Sequence, residues 1–170
     1  MRAAVVGHSR LGKTALWCAA QDERFSLAVA VQSGCGGAAI SRGKVGEQLS
    51  GMTKTFPDWF CEGFQAYAPR LADYPFDQHD LIAAIAPRRV YVCSASEDEW
   101  ADPNSEFLAC AAASPAFGPD GEGLVSEDRL PRIGDVFHSG RIGFHLRAGS
   151  HAFVAEDWDR IMDYRDRHEG

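Results

Sequence analysis

Val5-Val6-Gly7-His8-Ser9-Arg10-Leu11-Gly12-Lys13 is the stretch on which the fold turns. A strand-like apolar run over residues 2–6 stops at Gly7, and a serine follows two places later. Helical spacing then begins at once over residues 10–22, with Leu11, Ala15, Leu16, Ala19 and Ala20 as the apolar stripe. Strand, serine and immediate helix are the layout of a nucleophile elbow. The serine there sits on a sharp turn, so small residues must flank it where the strand and helix backbones approach. The second glycine of the usual G-x-S-x-G is replaced by Leu11, and Gly12 comes one place later. Two other readings compete: a tight turn whose Ser9 merely caps the helix, and a phosphate loop, because GHSRLGKT formally satisfies G-x-x-x-x-G-K-[ST].

Three features weigh against nucleotide. His8, Arg10 and Leu11 would crowd a loop whose amides must wrap a phosphate. No later strand ends in a clear magnesium-binding aspartate. Most importantly, an acid and then a histidine follow Ser9 in the chain order of a serine triad. The histidine is His151, on the loop after the strand over residues 142–147 and before the last helix, where it can take the serine proton. His8 lies in the elbow, His79 begins a helix, His145 is inside a strand, His138 precedes that strand, and His168 is terminal. For the acid, residues 94–103 offer Glu97, Asp98, Glu99 and Asp102. Asp102 precedes Pro103 and a helix, which suits capping. Asp98, a few residues past its strand, is placed to orient the histidine.

Outward from the elbow, strands are expected over residues 25–31, 89–93 and 141–147, and helices over 77–86, 104–113 and 154–168. Residues 38–76 read as a loop-rich region with an aromatic patch of Phe56, Trp59, Phe60, Phe64 and Tyr67, and a Gly/Pro-rich loop runs through Pro131. Strand and helix alternate four times, which predicts an α/β fold with a mostly parallel sheet and helices on both faces, one partial domain over residues 1–170. Four strands make a short sheet for a hydrolase, and the first begins at the first residue. The expectation is a chain truncated at its N-terminus, which should associate or aggregate through its exposed edge.

Composition narrows the rest. A net charge of −7 over 170 residues gives no electrostatic case for nucleic acid or an anionic membrane. No stretch approaches the ~20 apolar residues of a membrane span, and no signal peptide is read at Met1. Five cysteines without CxxC spacing argue against zinc and against a disulfide scaffold. Cys18 and Cys93 read as buried small hydrophobes, whereas Cys35 and Cys61, in loop-like or short helical contexts, are able to pair.

With Ser9, Asp98 and His151 in place, the wording resembles the glucuronoyl esterases of carbohydrate esterase family fifteen, particularly the bacterial ones. The segments that carry the resemblance are GHSRLGKTALW, QSGCGGAAISR, PDWFC, DQHDLIAAIAPRRVYVCSASEDEWADP and GFHLRAGSHAF. They span nearly the whole chain and correspond to the C-terminal half of a full member. The resemblance implies an α/β-hydrolase that cleaves 4-O-methyl-glucuronate esters between xylan and lignin alcohols, acting outside the cytoplasm, with no metal and no cofactor. It makes Ser9 the nucleophile, His151 the base and Arg10 part of the oxyanion hole. It gives Lys13 and Glu47 the sugar hydroxyls and Trp100 the sugar face. The family places its acid at one of two positions. The first is Gln32 here, able to hydrogen-bond within the substrate site but not to stabilise an imidazolium by charge, which directs the acid's role to Asp98. An acetyl xylan esterase or other carbohydrate esterase of the same fold, an inactive fragment, and the phosphate loop stand as alternatives.

Overall fold

The computed structural model describes residues 3–118, 122–124, 126 and 128–169. Its strands are β1 (Ala3–His8), β2 (Phe25–Val31), β3 (Arg89–Ala95), β4 (Val136–Phe137) and β5 (Ile142–Arg147). Its helices are α1 (Arg10–Gln21), α2 (Leu49–Thr55), α3 (Glu62–Tyr67), α4 (Gln78–Ala83), α5 (Pro103–Ala113) and α6 (Ala155–Glu169). The sheet order is β1-β2-β3-β5-β4. The first four strands in that order run parallel, and β4 closes the far edge antiparallel to β5.

The alternation of side chains along a strand decides which helix covers which face. Ala28 and Ala30 of β2, Val90 and Val92 of β3, and Phe144 and Leu146 of β5 pack against Leu16 and Ala19 of α1, Ile82 of α4, and Phe107 and Cys110 of α5. The intervening residues Leu27, Val29, Val31, Tyr91 and Cys93 pack on the opposite face, against Ile161 and Tyr164 of α6. Because β2 is covered on both faces, its run Phe-Ser-Leu-Ala-Val-Ala-Val is almost continuously apolar, as expected of a central parallel strand. Each fully buried valine or leucine there contributes about 1.5–3 kcal/mol. Parallel strands point their C-terminal ends the same way. Ser9, Gln32, Asp98 and His151 therefore leave β1, β2, β3 and β5 at one edge of the sheet.

Several expectations need correction. The sheet has a fifth strand, β4, whose two residues are too few to show a period of 2 in sequence. The first strand does not stop at Gly7: Gly7 and His8 stay in register with Ala30 and Val31. The loop-rich region over residues 38–76 also holds α2, α3 and two 3-10 turns. These close over Cys35, Leu49, Met52, Ala68 and Tyr74, with Phe60, Phe64 and Leu71 packed beside them. Asp77 is the cap of α4, in a reciprocal capping box with Asp80. Cys35 and Cys61 are free thiols, the first buried and the second exposed. Burial pushes the Cys35 thiol up to about 11. Arg2, expected to begin the first strand, and Pro119, Asp120, Gly121, Val125 and Glu127 of the Gly/Pro-rich loop lie outside the described residues. Among the described residues, no helix is long and apolar enough to cross a membrane.

Candidate active site

Ser9 occupies a strained turn between β1 and α1, with φ 58° and ψ −124°. Its backbone N–H donates to Val31 O at 2.8 Å, which ties the turn to the end of β2. Although Ser9 is the residue before α1, its side chain makes no capping hydrogen bond. The capping alternative therefore lacks its defining contact. A methyl on Gly7 would lie 2.0 Å from Leu11 O, and one on Gly12 would lie 2.9 Å from Ser33 Cβ and 3.1 Å from Gly7 O. The displaced glycine, Gly12, thus serves the close approach that the motif requires.

His151 lies on the turn between β5 and α6, and its Nδ1 is 2.6 Å from Asp98 Oδ2. The Asp98 side chain is 3 % exposed and that of His151 is 40 % exposed, so the pair faces solvent through the imidazole. Asp98 is fixed by its own turn, where Oδ1 accepts from Ala101 N–H at 3.2 Å. With Nδ1 donating to this carboxylate, Nε2 is left as the acceptor, the form a general base needs. His8 packs its ring against that of His151, with centroids 4.6 Å apart. Burial and the neighbouring His151 hold His8 below the usual imidazole value.

One cavity of about 290 Å³ brings Ser9, Arg10, Lys13, Gln32, Glu47, Asp98, Trp100 and His151 to a common lining. All eight expected site residues meet there, but they do not play equivalent parts. The Lys13 ammonium donates to Ser33 O and Cys35 O, both at 2.5 Å, and lies 3.6 Å from Glu47 Oε2. Its donors point at the loop after β2, an arrangement unlike a phosphate-loop lysine. Gln32 lines the cavity and is also tied to the His151 turn. It is 1 % exposed, with φ 48°, and its amide donates to Ala152 O at 2.9 Å and accepts from Ala152 N–H at 2.8 Å. These two bonds hold the His151 turn from the end of β2. Glu47 N–H donates to Trp100 O at 3.1 Å, which sets these two residues side by side at the rim. Trp100 is 64 % exposed, not a core aromatic. Asp102 caps α5 by accepting from Ser105 N–H at 3.2 Å, and also accepts from Val45 N–H at 2.9 Å.

Phe56 and Trp59, members of the aromatic patch in the sequence, belong to the site. Their rings stack at 4.2 Å, they line the cavity, and the Arg10 guanidinium lies 5.8 Å from the Trp59 ring centre. A larger cleft of about 510 Å³ adjoins, sharing Arg10, Lys13 and Trp59 and walled by Leu11, Trp17 and Phe60. Beneath the site, Glu106 is fully buried. Its Oε1 accepts from Gly34 N–H at 2.9 Å and Ser33 Oγ at 3.2 Å, and its Oε2 from Ser94 Oγ at 2.6 Å. Burial pushes its carboxyl up to about 7 despite these donors. A helical pattern alone gave no sign of it.

An exposed-ended Ser-His-Asp arrangement in a cavity, with helix amides at the start of α1 unsatisfied within the helix, can carry acyl transfer. The known proteins similar to this chain agree with that chemistry. A family model described as glucuronyl esterase, fungi, matches residues 1–119. A carbohydrate esterase from an unknown prokaryotic organism is 46 % identical over 167 residues, which cover 98 % of this chain and 38 % of that protein. A 4-O-methyl-glucuronoyl methylesterase from Phanerochaete carnosa is 36 % identical over 133 residues, covering 72 % of this chain and 33 % of that protein. Among solved structures, a promiscuous esterase of family fifteen from the marine bacterial metagenome is 46 % identical with a TM-score of 0.91, over 97 % of this chain and 41 % of that one. The chain thus spans well under half the length of the relatives it matches. Its fold is the α/β-hydrolase fold, and the chain belongs to the glucuronoyl esterases, carbohydrate esterase family fifteen, on their bacterial side.

Proposed function

We propose that this chain carries the catalytic centre of a serine carboxylic-ester hydrolase that cleaves 4-O-methyl-glucuronoyl esters, of the kind that join glucuronoxylan to lignin alcohols. The observation that carries the reading is the meeting, in one cavity, of an uncapped serine on a strained elbow and a histidine whose Nδ1 is 2.6 Å from a buried carboxylate. Ser9 Oγ attacks the ester carbonyl while His151 Nε2 takes its proton. The tetrahedral oxyanion forms beside the first turn of α1, where the Arg10 N–H and guanidinium stabilise it, a contribution of roughly 3–4 kcal/mol per donor. His151 returns the proton to the departing alcohol, and water then hydrolyses the glucuronoyl-enzyme by the same route. Asp98 keeps the imidazole in the right tautomer throughout.

Glu47, with the Lys13 ammonium 3.6 Å from its carboxylate, offers an acceptor to the sugar hydroxyls, and Trp100 an exposed face to the ring. The apolar walls of the adjoining cleft suit an aryl alcohol. A polymeric substrate requires action outside the cytoplasm. A broader ester range is the second reading, favoured by the 46 % identical structure whose protein is described as promiscuous. The test is hydrolysis of benzyl glucuronate beside a simple acetyl ester, by this chain, an N-terminally extended form, and a Ser9→Ala variant. Uronate cleavage lost in the variant supports the proposal. Cleavage by the extended form alone identifies the present chain as an inactive fragment. Acetyl cleavage without uronate cleavage keeps the hydrolase and refutes the substrate.

A further inference from the structure

His151 sits on a turn of five residues, 148–152, and a single buried side chain reaches most of its carbonyls. Arg147, the last residue of β5, is 4 % exposed. Its Nη1 donates to Ala148 O at 2.8 Å, and its Nη2 to Ser150 O at 3.2 Å and Ala152 O at 2.5 Å. Its Nε addresses both oxygens of Asp157, at 3.1 and 3.2 Å. Asp157 has no exposed surface and also receives Val154 N–H at 2.9 Å and His145 Nε2 at 2.9 Å. His145 Nδ1 lies 3.0 Å from the Tyr91 hydroxyl, which lies 2.7 Å from His138 Nε2. The far side of the turn is held from the acid's loop. Ser96 N–H donates to Arg147 O and Glu97 N–H to Gly149 O, each at 2.9 Å.

A buried ion pair is poor evidence for stability, since well-packed apolar residues of like size often serve as well or better. What a guanidinium adds is a rigid fork of donors in fixed directions. Here that fork is aimed at the backbone on both sides of one imidazole, and Gln32 grips Ala152 from the other direction. We propose that Arg147 and its anchor Asp157 are positioning residues for the general base: they lock the 148–152 turn so that His151 engages Asp98 through Nδ1 in the cavity it shares with Ser9. The proposal rests on the serine-hydrolase reading above and names the part of the fold that makes it work.

The test compares the parent with Arg147→Lys, and with a packed apolar replacement of the pair, Arg147→Met with Asp157→Leu. Melting temperature, kcat and KM on benzyl glucuronate, and the imidazole N–H resonance of His151 in histidine-labelled protein (assigned with His151→Gln) are read for each. The expected result for the double variant is a cooperative melt, KM within about threefold, and kcat down about 100-fold, the scale of a 1 Å misplacement. The His151 Nδ1–H resonance should be lost to exchange, and Arg147→Lys should recover part of kcat. A double variant that melts like the parent and keeps both kcat and the resonance overturns the proposal. The resonance also separates the two claims. If neither the parent nor its N-terminally extended form hydrolyses an ester, the esterase reading has failed. Loss of the signal in the double variant alone still supports the clamp, and its persistence there refutes it.

Discussion

Gly7→Ala puts the elbow under direct strain. The added methyl would lie 2.0 Å from Leu11 O, 2.3 Å from Leu11 C and 2.7 Å from Gly12 N. Carbon contacts settle near ~3.5 Å, so β1 and α1 must part by more than ~1 Å at the turn that carries Ser9. Every obstructing atom is backbone, and no side chain can swing aside. Overpacking usually costs ~1–3 kcal/mol, and this site belongs at the top of that range, about 3 kcal/mol or more. A nucleophile displaced by ~1 Å also loses ~100-fold in reactivity. Gly51→Ala is the matched control: it lies inside α2 with nothing within 4 Å of the new methyl. That substitution should stabilise the protein by ~0.5–1 kcal/mol. Urea unfolding followed by tryptophan fluorescence reads the first quantity, and the rate of fluorophosphonate labelling reads the second. A Gly7→Ala protein within ~0.5 kcal/mol of the parent and labelled at the parental rate would refute the reasoning.

Asp98→Asn should leave the fold intact and lower kcat by up to ~10⁴, because an amide no longer selects the right imidazole tautomer; a loss under tenfold in steady-state assays would remove Asp98 from the acid's role. Trp100→Ala, at an exposed position, should change stability by less than ~0.5 kcal/mol and raise KM about tenfold with kcat little altered; a Tm fall with unchanged KM would instead make it a structural residue. Glu106 sets a pH signature. The folded carboxyl keeps its proton up to about 7, against an ordinary value of 4.5. Between those values the folded state binds more protons than the unfolded chain, so this group's stabilisation is complete at low pH and declines as pH rises toward 7. Glu106→Gln should therefore gain on the parent from pH 5 to pH 8, by on the order of 3 kcal/mol, in denaturant titrations at each pH. His138, which burial holds down to about 4, is common to both proteins and cancels in the difference. A difference that does not vary with pH would mean that Glu106 titrates normally.

The parts of the site that were legible in sequence are those written in adjacent residues. Gly7, Ser9 and Gly12 announce the elbow because the steric demand falls within one turn. Asp98 and His151 could be placed because each follows the end of an apolar strand run. The pairing of Gln32 with Ala152 was not legible, since the two are 120 residues apart and only the sheet order brings them together. Arg147 looks like an ordinary charged strand end until α6 brings Asp157 beneath it. β4 and the short helices α2 and α3 escaped for a different reason. Two residues cannot show alternation, and one or two helical turns among aromatic residues show little periodicity. Their order comes from packing over Cys35, Met52 and Tyr74.

The most direct measurement is the intact mass of the protein after exposure to a fluorophosphonate, followed by peptide mapping, with Ser9→Ala and an ATP-challenged sample alongside. A serine hydrolase built on this elbow gives a single adduct on the peptide containing Ser9, absent from Ser9→Ala and unaffected by ATP. No adduct on either the parent chain or its N-terminally extended form, or an adduct elsewhere that survives Ser9→Ala, would contradict it.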